Sequence, residues 1–325
     1  MSTKEIMVNH EWGALKEVIV GSAYFYIPGE FPEYMRPWLS DLAVERFTKT
    51  CGGTIEEKLP ELWKEQVDQI QTAINLLEER GIKVHKCEKP NEEELSFFGE
   101  GEFLRLSMYP RDEIVVIGNN YIETSLQNQG RRSTKWAIRR TLNERLENSD
   151  AQIVAMPEPF PYSGGSYLES GDVFLLGKDI LVGHSGNGSN AAGIAWLKRY
   201  LGDEYRIHEV KLSSNFLHLD CVLCTPREGL AIICKEAFVD GIPPLLADWE
   251  LIEVSVEDAE TKQACNNLVI DEKTIMVPSE LPELIKDLED AGQEVIATPF
   301  SSMIWQGGSF RCWHHPLVRE SATLA

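Results

Sequence analysis

A thiol at Cys312, an imidazole at His218, an amide at Asn266 and carboxylates at Asp112, Glu169, Asp172 and Asp220 are the side chains of this sequence best suited to act together. Each stands at or just before the first strand of a short apolar hairpin, a polar residue at the mouth of an apolar run. A thiolate is a strong nucleophile when a neighbouring cation lowers its pKa. Surrounding carboxylates repel that thiolate unless a cationic substrate sits between them. A guanidinium is such a substrate: planar, always charged, and matched in its donors to carboxylate forks. Its carbon is electrophilic enough for a thiolate once held and polarised. His218 is suited to protonate the departing amine, and Asp220, two residues on, is expected to share its face of a strand.

These residues share a phase because the chain repeats. RDEIVVIGNNYIETS from Arg111, GDVFLLGKDILVGHS from Gly171, LDCVLCTPREGLAIICK from Leu219 and NNLVIDEKTIMVPS from Asn266 each join two apolar runs by a tight polar turn. Each predicts a β-hairpin. A helical stretch and a third strand usually follow: KWAIRRTLNERLEN then AQIVAM, NAAGIAWLKRYLG then YRIHEVKL, and ELPELIKDLEDAG then QEVIATP. The third copy has the Pro-interrupted PPLLADW before ELIEVSV. Gly202 and Gly292 fall where helix C-terminal caps belong.

The chain ends supply a fifth copy. KEVIVG is a strand, and ELWKEQVDQIQTAINLLEERG is a helix with Trp63, Val67, Ile70, Ile74 and Leu77 on one face. Gly81 caps it, KVHKC is a further strand, and GGSFRCW from the C-terminus is expected to be the missing first strand. Five ββαβ units closed head to tail make one ring-like domain over residues 1–325. All five strand entrances then point into one cavity. Residues 24–60, rich in Pro, Tyr, Phe and Gly, read as a long functional loop or lid.

Other motifs weigh less. Cys221 and Cys224 have CxxC spacing, but there is no second pair and they open no helix, so two half-buried strand cysteines are expected. His314 and His315 follow Cys312, yet adjacent residues of a strand face opposite ways, which argues against a metal site there. GGSY at Gly164 lacks the context of a nucleophile elbow. HSGNGSN at His184 lacks a Walker lysine and reads as a turn and helix cap, with Asn190 or Ser189 as the N-cap. In Cys312's own neighbourhood, the GGS before it allows close backbone approach.

Composition bounds the partners. With 31 Lys+Arg against 52 Asp+Glu, the 325-residue chain carries a formal net charge of −21. Nucleic acid is excluded as an expected partner, because its footprint needs clustered basic residues. Hydrophobic residues at 43% and charged residues at 26% describe a globular chain with a real core. No apolar run reaches the ~18 to 20 residues of a membrane span, and the N-terminus has no apolar secretory core. Seven cysteines without a framework fit reduced thiols and a cytoplasmic setting.

The sequence resembles the amidinotransferases of the guanidino-modifying pentein superfamily, represented by glycine and inosamine-phosphate amidinotransferases. The matching pieces are NHEWGALKEVIVG, MYPRDEIVVIGNNYIE, LESGDVFLLGKDILVGHS, NFLHLD, NNLVIDEKTIMVP and GGSFRCW, in the family's order and over nearly the whole chain. The resemblance implies an α/β fold, a five-bladed propeller of ββαβ modules about a pseudo-fivefold axis. It implies Cys312 as nucleophile, His218 as general acid/base, and Asp112, Glu169 and Asp220 as the carboxylates that hold the guanidinium and orient the histidine. Asn215 and Asn266 match positions that contact the amino-acid part of the donor. The implied reaction transfers an amidino group from a guanidino donor such as L-arginine to an amine, through an S-amidino-cysteine, without metal or organic cofactor. A homodimer is expected by analogy. Three positions depart from the family pattern. Ala237 replaces an arginine that binds the donor carboxylate, Ala264 or Cys265 replaces a serine, and Arg311 replaces a histidine. Lys235 or Arg311 then becomes the candidate carboxylate partner. The ESGD sequence at Glu169 resembles the motif of arginine deiminases, so a guanidino hydrolase using water as acceptor is the alternative.

Overall fold

The computed structural model describes residues 4–98, 105–159 and 164–320. Five three-stranded sheets share one pattern, in which the central strand pairs antiparallel with the first and parallel with the third. In chain order, the first four are Ile114–Ile117, Asn120–Glu123 and Gln152–Ala155; Val173–Leu176, Asp179–His184 and Arg206–Lys211; Leu223–Arg227, Leu230–Ile233 and Glu250–Glu253; and Leu268–Asp271, Thr274–Pro278 and Glu294–Thr298. Helices Lys135–Glu147, Ala191–Leu201 and Pro282–Asp290 make the crossovers of the first, second and fourth. In the third, no α-helix forms; the crossover holds two 3-10 turns, Lys235–Ala237 and the Pro-led Pro244–Leu246.

The fifth sheet joins the chain ends: His314–Arg319 pairs with Leu15–Val20, which pairs with Lys83–Lys86 across helix Pro60–Glu79. Its first strand begins after GGSFRCW, not within it. Phe310–Trp313 is a helical turn. The cause is local: the Asn266 Oδ1 accepts hydrogen bonds from both the Ser309 and Cys312 amides, each 3.0 Å, and winds the chain there.

Turn chemistry sets the hairpins. Gly118, Gly177 and Gly229 take positive φ in three of them. The fourth lacks glycine; there the Asp271 Oδ1 accepts from the Lys273 and Thr274 amides, both 2.9 Å. Asn190 is the N-cap of Ala191–Leu201, accepting from the Gly193 amide at 2.9 Å.

Residues 24–60 are not a loop. They fold as strand Phe25–Ile27, a 3-10 turn Glu33–Trp38, helix Asp41–Thr50, strand Gly53–Thr54 and helix Ile55–Lys58. Phe25–Ile27 centres a sixth small sheet, between Gly53–Thr54 and Arg105–Leu106. Two of the aromatic residues that suggested a lid are core: Phe47 stacks on Phe25 at 5.3 Å and meets Trp305 at 4.9 Å. They share one apolar cluster with Phe310 and Trp313, so the segment braces the turn that carries Cys312. No helix among the described residues is long and apolar enough to cross a membrane.

Candidate active site

A short turn precedes the first strand of each of the five sheets, and these turns carry the reactive groups. Asp112 lies two residues before Ile114; Ser170–Asp172 and Leu219–Cys221 are 3-10 turns; Asn266 precedes Leu268; Cys312 lies in Phe310–Trp313. Asp112, Glu169, Asp172, His218, Asp220, Asn266 and Cys312 are all buried.

His218 is the centre of one half of the site. Its Nε2 meets Glu169 Oε2 at 2.8 Å, and its Nδ1 lies 3.6 Å from Asp112 Oδ1. Burial alone would lower its pKa, but Asp112, Asp172 and Glu169 outweigh burial and push it up to about 10. The imidazole is therefore an imidazolium at neutral pH. Two glycines let the backbone close on the ring. A Cβ on Gly171 would lie 2.6 Å from Nδ1, and one on Gly188 would lie 2.7 Å from Cδ2.

The carboxylates divide their work. Burial pushes the Asp112 carboxyl up, yet His218 and Arg131 hold it below its ordinary value. Its Oδ2 accepts from Arg131 Nη1 at 2.8 Å and its Oδ1 from the Gly171 amide at 3.0 Å. Glu169 Oε1 accepts from the Gln127 amide at 2.8 Å, which leaves Oε2 for His218. Asp172 spends its two oxygens on backbone, accepting from the Ser189 and Leu219 amides, both 3.0 Å. Burial lifts it to about 6. Its expected substrate role gives way to a positioning one, fixing the turn that bears His218.

Cys312 is the centre of the other half. Its thiol meets Asp220 Oδ2 at 3.5 Å and accepts from Asn266 Nδ2 at 3.1 Å. Burial and then the Asp220 charge hold the thiol pKa well above its ordinary value, so the resting group is a thiol. The backbone approach expected from the GGS is present: a Cβ on Gly308 would sit 3.0 Å from that of Cys312.

Three expected roles change. Asp220 does not share a strand face with His218, since both lie in the turn before Leu223, and it serves the thiol instead. Asn266 is expected at the donor, but its Oδ1 takes two amides and its Nδ2 serves the Asp220 carbonyl and the Cys312 thiol. Its hydrogen-bonding capacity is spent on the turn and thiol of Cys312 and on the Asp220 carbonyl. Arg311 is not free for a donor carboxylate. Its five N–H groups go to Glu11, Asp220 and the Gly171 and Val173 carbonyls. Lys235 pairs with Glu253 at 2.5 Å. Asn215 is exposed in the turn before His218, outside the buried cluster.

Arg131 is the residue that sequence reasoning missed. It is buried, bonds Asp112, and meets Glu113 at 3.3 Å. Burial opposes its charge, but Asp112 and Glu113 raise its pKa further, while burial lifts Glu113 to about 7. The signal was the Arg131-Arg132 pair after the first hairpin, in a stretch with no period to place it.

Asp112, Glu169 and His218 set ligand atoms within 4.8 Å of one another, the one such trio among the described residues. Arg131 already contacts Asp112, so an added metal ion would lie close to a fixed guanidinium. Cys312, His314 and His315 form no such group: His314 Nδ1 bonds the Phe310 carbonyl at 2.6 Å, and His315 Nε2 accepts from the Val116 amide at 3.2 Å. Cys221 and Cys224 are fully buried and free, the first in a turn and the second in a strand.

Known proteins match this arrangement. Residues 47–319 match the sequence model of the family described as N,N dimethylarginine dimethylhydrolase, eukaryotic. The L-arginine:L-lysine amidinotransferase of Pseudomonas savastanoi pv. phaseolicola is 26% identical, over 96% of this chain and 94% of its own. The mitochondrial glycine amidinotransferase of Danio rerio is 25% identical, over 98% of this chain and 84% of its own. Among solved structures, an amidinotransferase of the saxitoxin biosynthetic pathway from Microseira wollei superposes with a TM-score of 0.80 at 25% identity, covering 98% of this chain and 99% of that one.

Proposed function

The chain belongs to the N,N dimethylarginine dimethylhydrolase family, and we propose that within it the protein moves the amidino group of L-arginine, or a close guanidino relative, to an amine. It is an amidino-transferring enzyme by its full-length relatives. The observation that carries the reading is the division of the site: a buried imidazolium between Glu169 and Asp112, and a buried thiol on Asp220. The like order of five sheets supports the finer reading of a five-bladed pentein propeller about a pseudo-fivefold axis, one catalytic unit over the chain. Seven free cysteines fit a cytoplasmic setting.

The chemistry follows from the protonation states. The donor guanidinium enters among the carboxylates and brings the positive charge that the thiol lacks. With that charge adjacent, the Cys312 thiol passes its proton to Asp220 Oδ2, 3.5 Å away, and its sulfur attacks the guanidino carbon. Asp220 returns the proton when the thiolate departs at the end of the cycle. The bond from that carbon to the side-chain nitrogen breaks while His218 protonates the nitrogen, so arginine leaves ornithine. The amidino group stays on sulfur as a cationic thiouronium. The acceptor amine then attacks the carbon, neutral His218 takes its proton, and the thiolate departs. Kinetics are ping-pong.

The second reading puts water in place of the amine. The family description and Glu169 in its ESGD setting favour it. Mass spectrometry of the protein with L-arginine, alone and with a panel of amines, separates the two. Ornithine and an amidinated amine formed only with amine present support transfer. Ornithine with urea, citrulline with ammonia, or ornithine with ammonia and carbon dioxide, formed without amine, supports hydrolysis. Untouched arginine sinks the donor assignment.

A further inference from the structure

Arg131 lies between two carboxyls and meets them unequally. Its Nη1 donates to Asp112 Oδ2 at 2.8 Å, whereas its Nη2 reaches Glu113 Oε1 only at 3.3 Å. All three residues are buried. An ionised carboxylate beside a buried guanidinium draws it to about 2.7 to 2.9 Å. Asp112 does so and Glu113 does not. The reaction written above uses Asp112 and leaves Glu113 without a role.

The hydrogen bonds of Glu113 suit the neutral acid. Its Oε1 lies within hydrogen-bonding reach of Thr134 Oγ1, and that same hydroxyl is 2.6 Å from the Arg131 carbonyl. A threonine hydroxyl has one proton to donate. With Glu113 ionised, two acceptors converge on that proton, and one close pair of oxygens is left with no proton between them. With Glu113 protonated on Oε1 the chain closes: the acid donates to Thr134 Oγ1, which donates to the Arg131 carbonyl. Glu113 Oε2 agrees, for it is buried and has no hydrogen-bond partner among the described residues. A bare carboxylate oxygen there is costly, and the carbonyl of an acid much less so. Burial, with the nearby Asp112 charge, raises the Glu113 pKa to about 7 against the pull of Arg131. Lys135 and the Cys87 thiol are the further titratable groups coupled to it.

We propose that Glu113, as a neutral carboxylic acid, is the positioning residue that keeps the Arg131 guanidinium on Asp112. Through Thr134, the residue before helix Lys135–Glu147, the acid fixes the Arg131 backbone. Being uncharged, it leaves the guanidinium to Asp112. Ionised Glu113 claims the Thr134 proton and draws Arg131 away, so Asp112 loses the cation that orders it beside His218. The kinetic consequence rests on the amidino-transfer reading; the protonation state does not.

Infrared spectroscopy tests the protonation state without turnover. At about pH 6 the wild type should show the carbonyl stretch of a protonated carboxyl that Glu113→Gln lacks, and the band should fade as pH rises through about 7. Asp172, lifted to about 6, is the other carboxyl raised into this range among the described residues. Isotopic labelling of the glutamate side-chain carbons separates them, because it shifts the Glu113 band alone. A wild type without a glutamate band overturns the proposal, and needs no variant to fold. Thr134→Val should shift the band by removing the acceptor of the acid proton; an unmoved band overturns the chain. Kinetics test the coupling to Arg131. Glu113→Ala should lower kcat/KM about tenfold. Glu113→Gln donates to Thr134 as the acid does and stays neutral, so it should recover most of that loss at about pH 6 and exceed wild type at about pH 8. A ratio of Glu113→Gln to wild type that is flat with pH overturns the positioning role. Arginine left untouched by every form would fault the donor assignment instead, with the infrared bands unchanged.

Discussion

Two buried charge clusters meet in this molecule, and they solve opposite problems. Around His218, Asp112, Glu113, Glu169 and Asp172 face only Arg131 and the imidazolium. Around Glu11, the buried Arg111, Arg311 and Arg319 are held by Glu11, Asp220 and backbone carbonyls, with the Asp271 charge also acting on Arg319. The first cluster keeps a deficit of positive charge that a guanidinium substrate fills on binding. The second keeps no such opening, because each guanidinium is anchored to backbone or to Glu11. The seam is Asp220, whose Oδ2 contacts both the Cys312 thiol and Arg311. The deficit around His218 is thus bordered, across Asp220, by guanidinium groups that are already held in place.

The largest effect should come from removing the nucleophile. Cys312→Ala should lower turnover by at least about 10³-fold while leaving the fold intact, as read by amidino transfer and by circular dichroism. Retained turnover would remove the thiol from the reaction. His218→Asn should cost about 10²- to 10⁴-fold in kcat. It also has a signature in stability. The folded-state pKa of His218 is raised from 6.5 to about 10. Its contribution is therefore complete below about pH 6.5 and is lost as pH rises through about 10. Wild type should lose stability over that window relative to His218→Asn, measured by urea unfolding; parallel curves would refute the imidazolium.

Arg131→Met sharpens the comparison inside the first cluster. It removes the cation on Asp112 and Glu113 without touching the thiol. kcat/KM should fall about 10- to 100-fold, and the acidic limb of the pH profile should move up, because Asp112 loses a charge that holds it ionised. Arg131→Lys should restore part of both. A fall in activity with an unmoved acidic limb would leave Arg131 a packing role only. Arg311→Lys tests the seam. Lysine offers three donors against the five bonds Arg311 makes, so Asp220 should loosen and kcat fall about tenfold. The rate of Cys312 alkylation should change with it. An unchanged rate would disconnect the clusters.

The sequence made the polar entrances legible because hairpins with period-two strands and tight turns repeat, and position within a repeat is a spatial coordinate. It could not tell which way a turn side chain points. His218 and Asp220 are two apart, which on a strand means one face, but the 3-10 turn at Leu219 sends them to opposite halves of the site. Arg131 and Glu11 were invisible for another reason: their partners lie far along the chain or in aperiodic stretches, and long-range ion pairs leave no local pattern. Residues 24–60 misled because aromatic residues with proline read as loop when the core they fill, Trp305 and Phe310, lies at the other chain end.

The smallest effect should come from Asn215. The resemblance places it against the amino-acid part of the donor, whereas the structure leaves it exposed, its backbone amide held by Ser213 Oγ at 3.3 Å. A side chain outside the buried cluster can act only on a substrate already long enough to reach it. Asn215→Ala should therefore leave kcat within about threefold and shift KM alone, the pattern of a contact made equally in ground and transition states. The shift should vanish with a guanidino donor that lacks the α-carboxylate and amine. A large kcat loss would instead place Asn215 with the buried clusters, and would mean that the turn before His218 closes over the donor during the reaction.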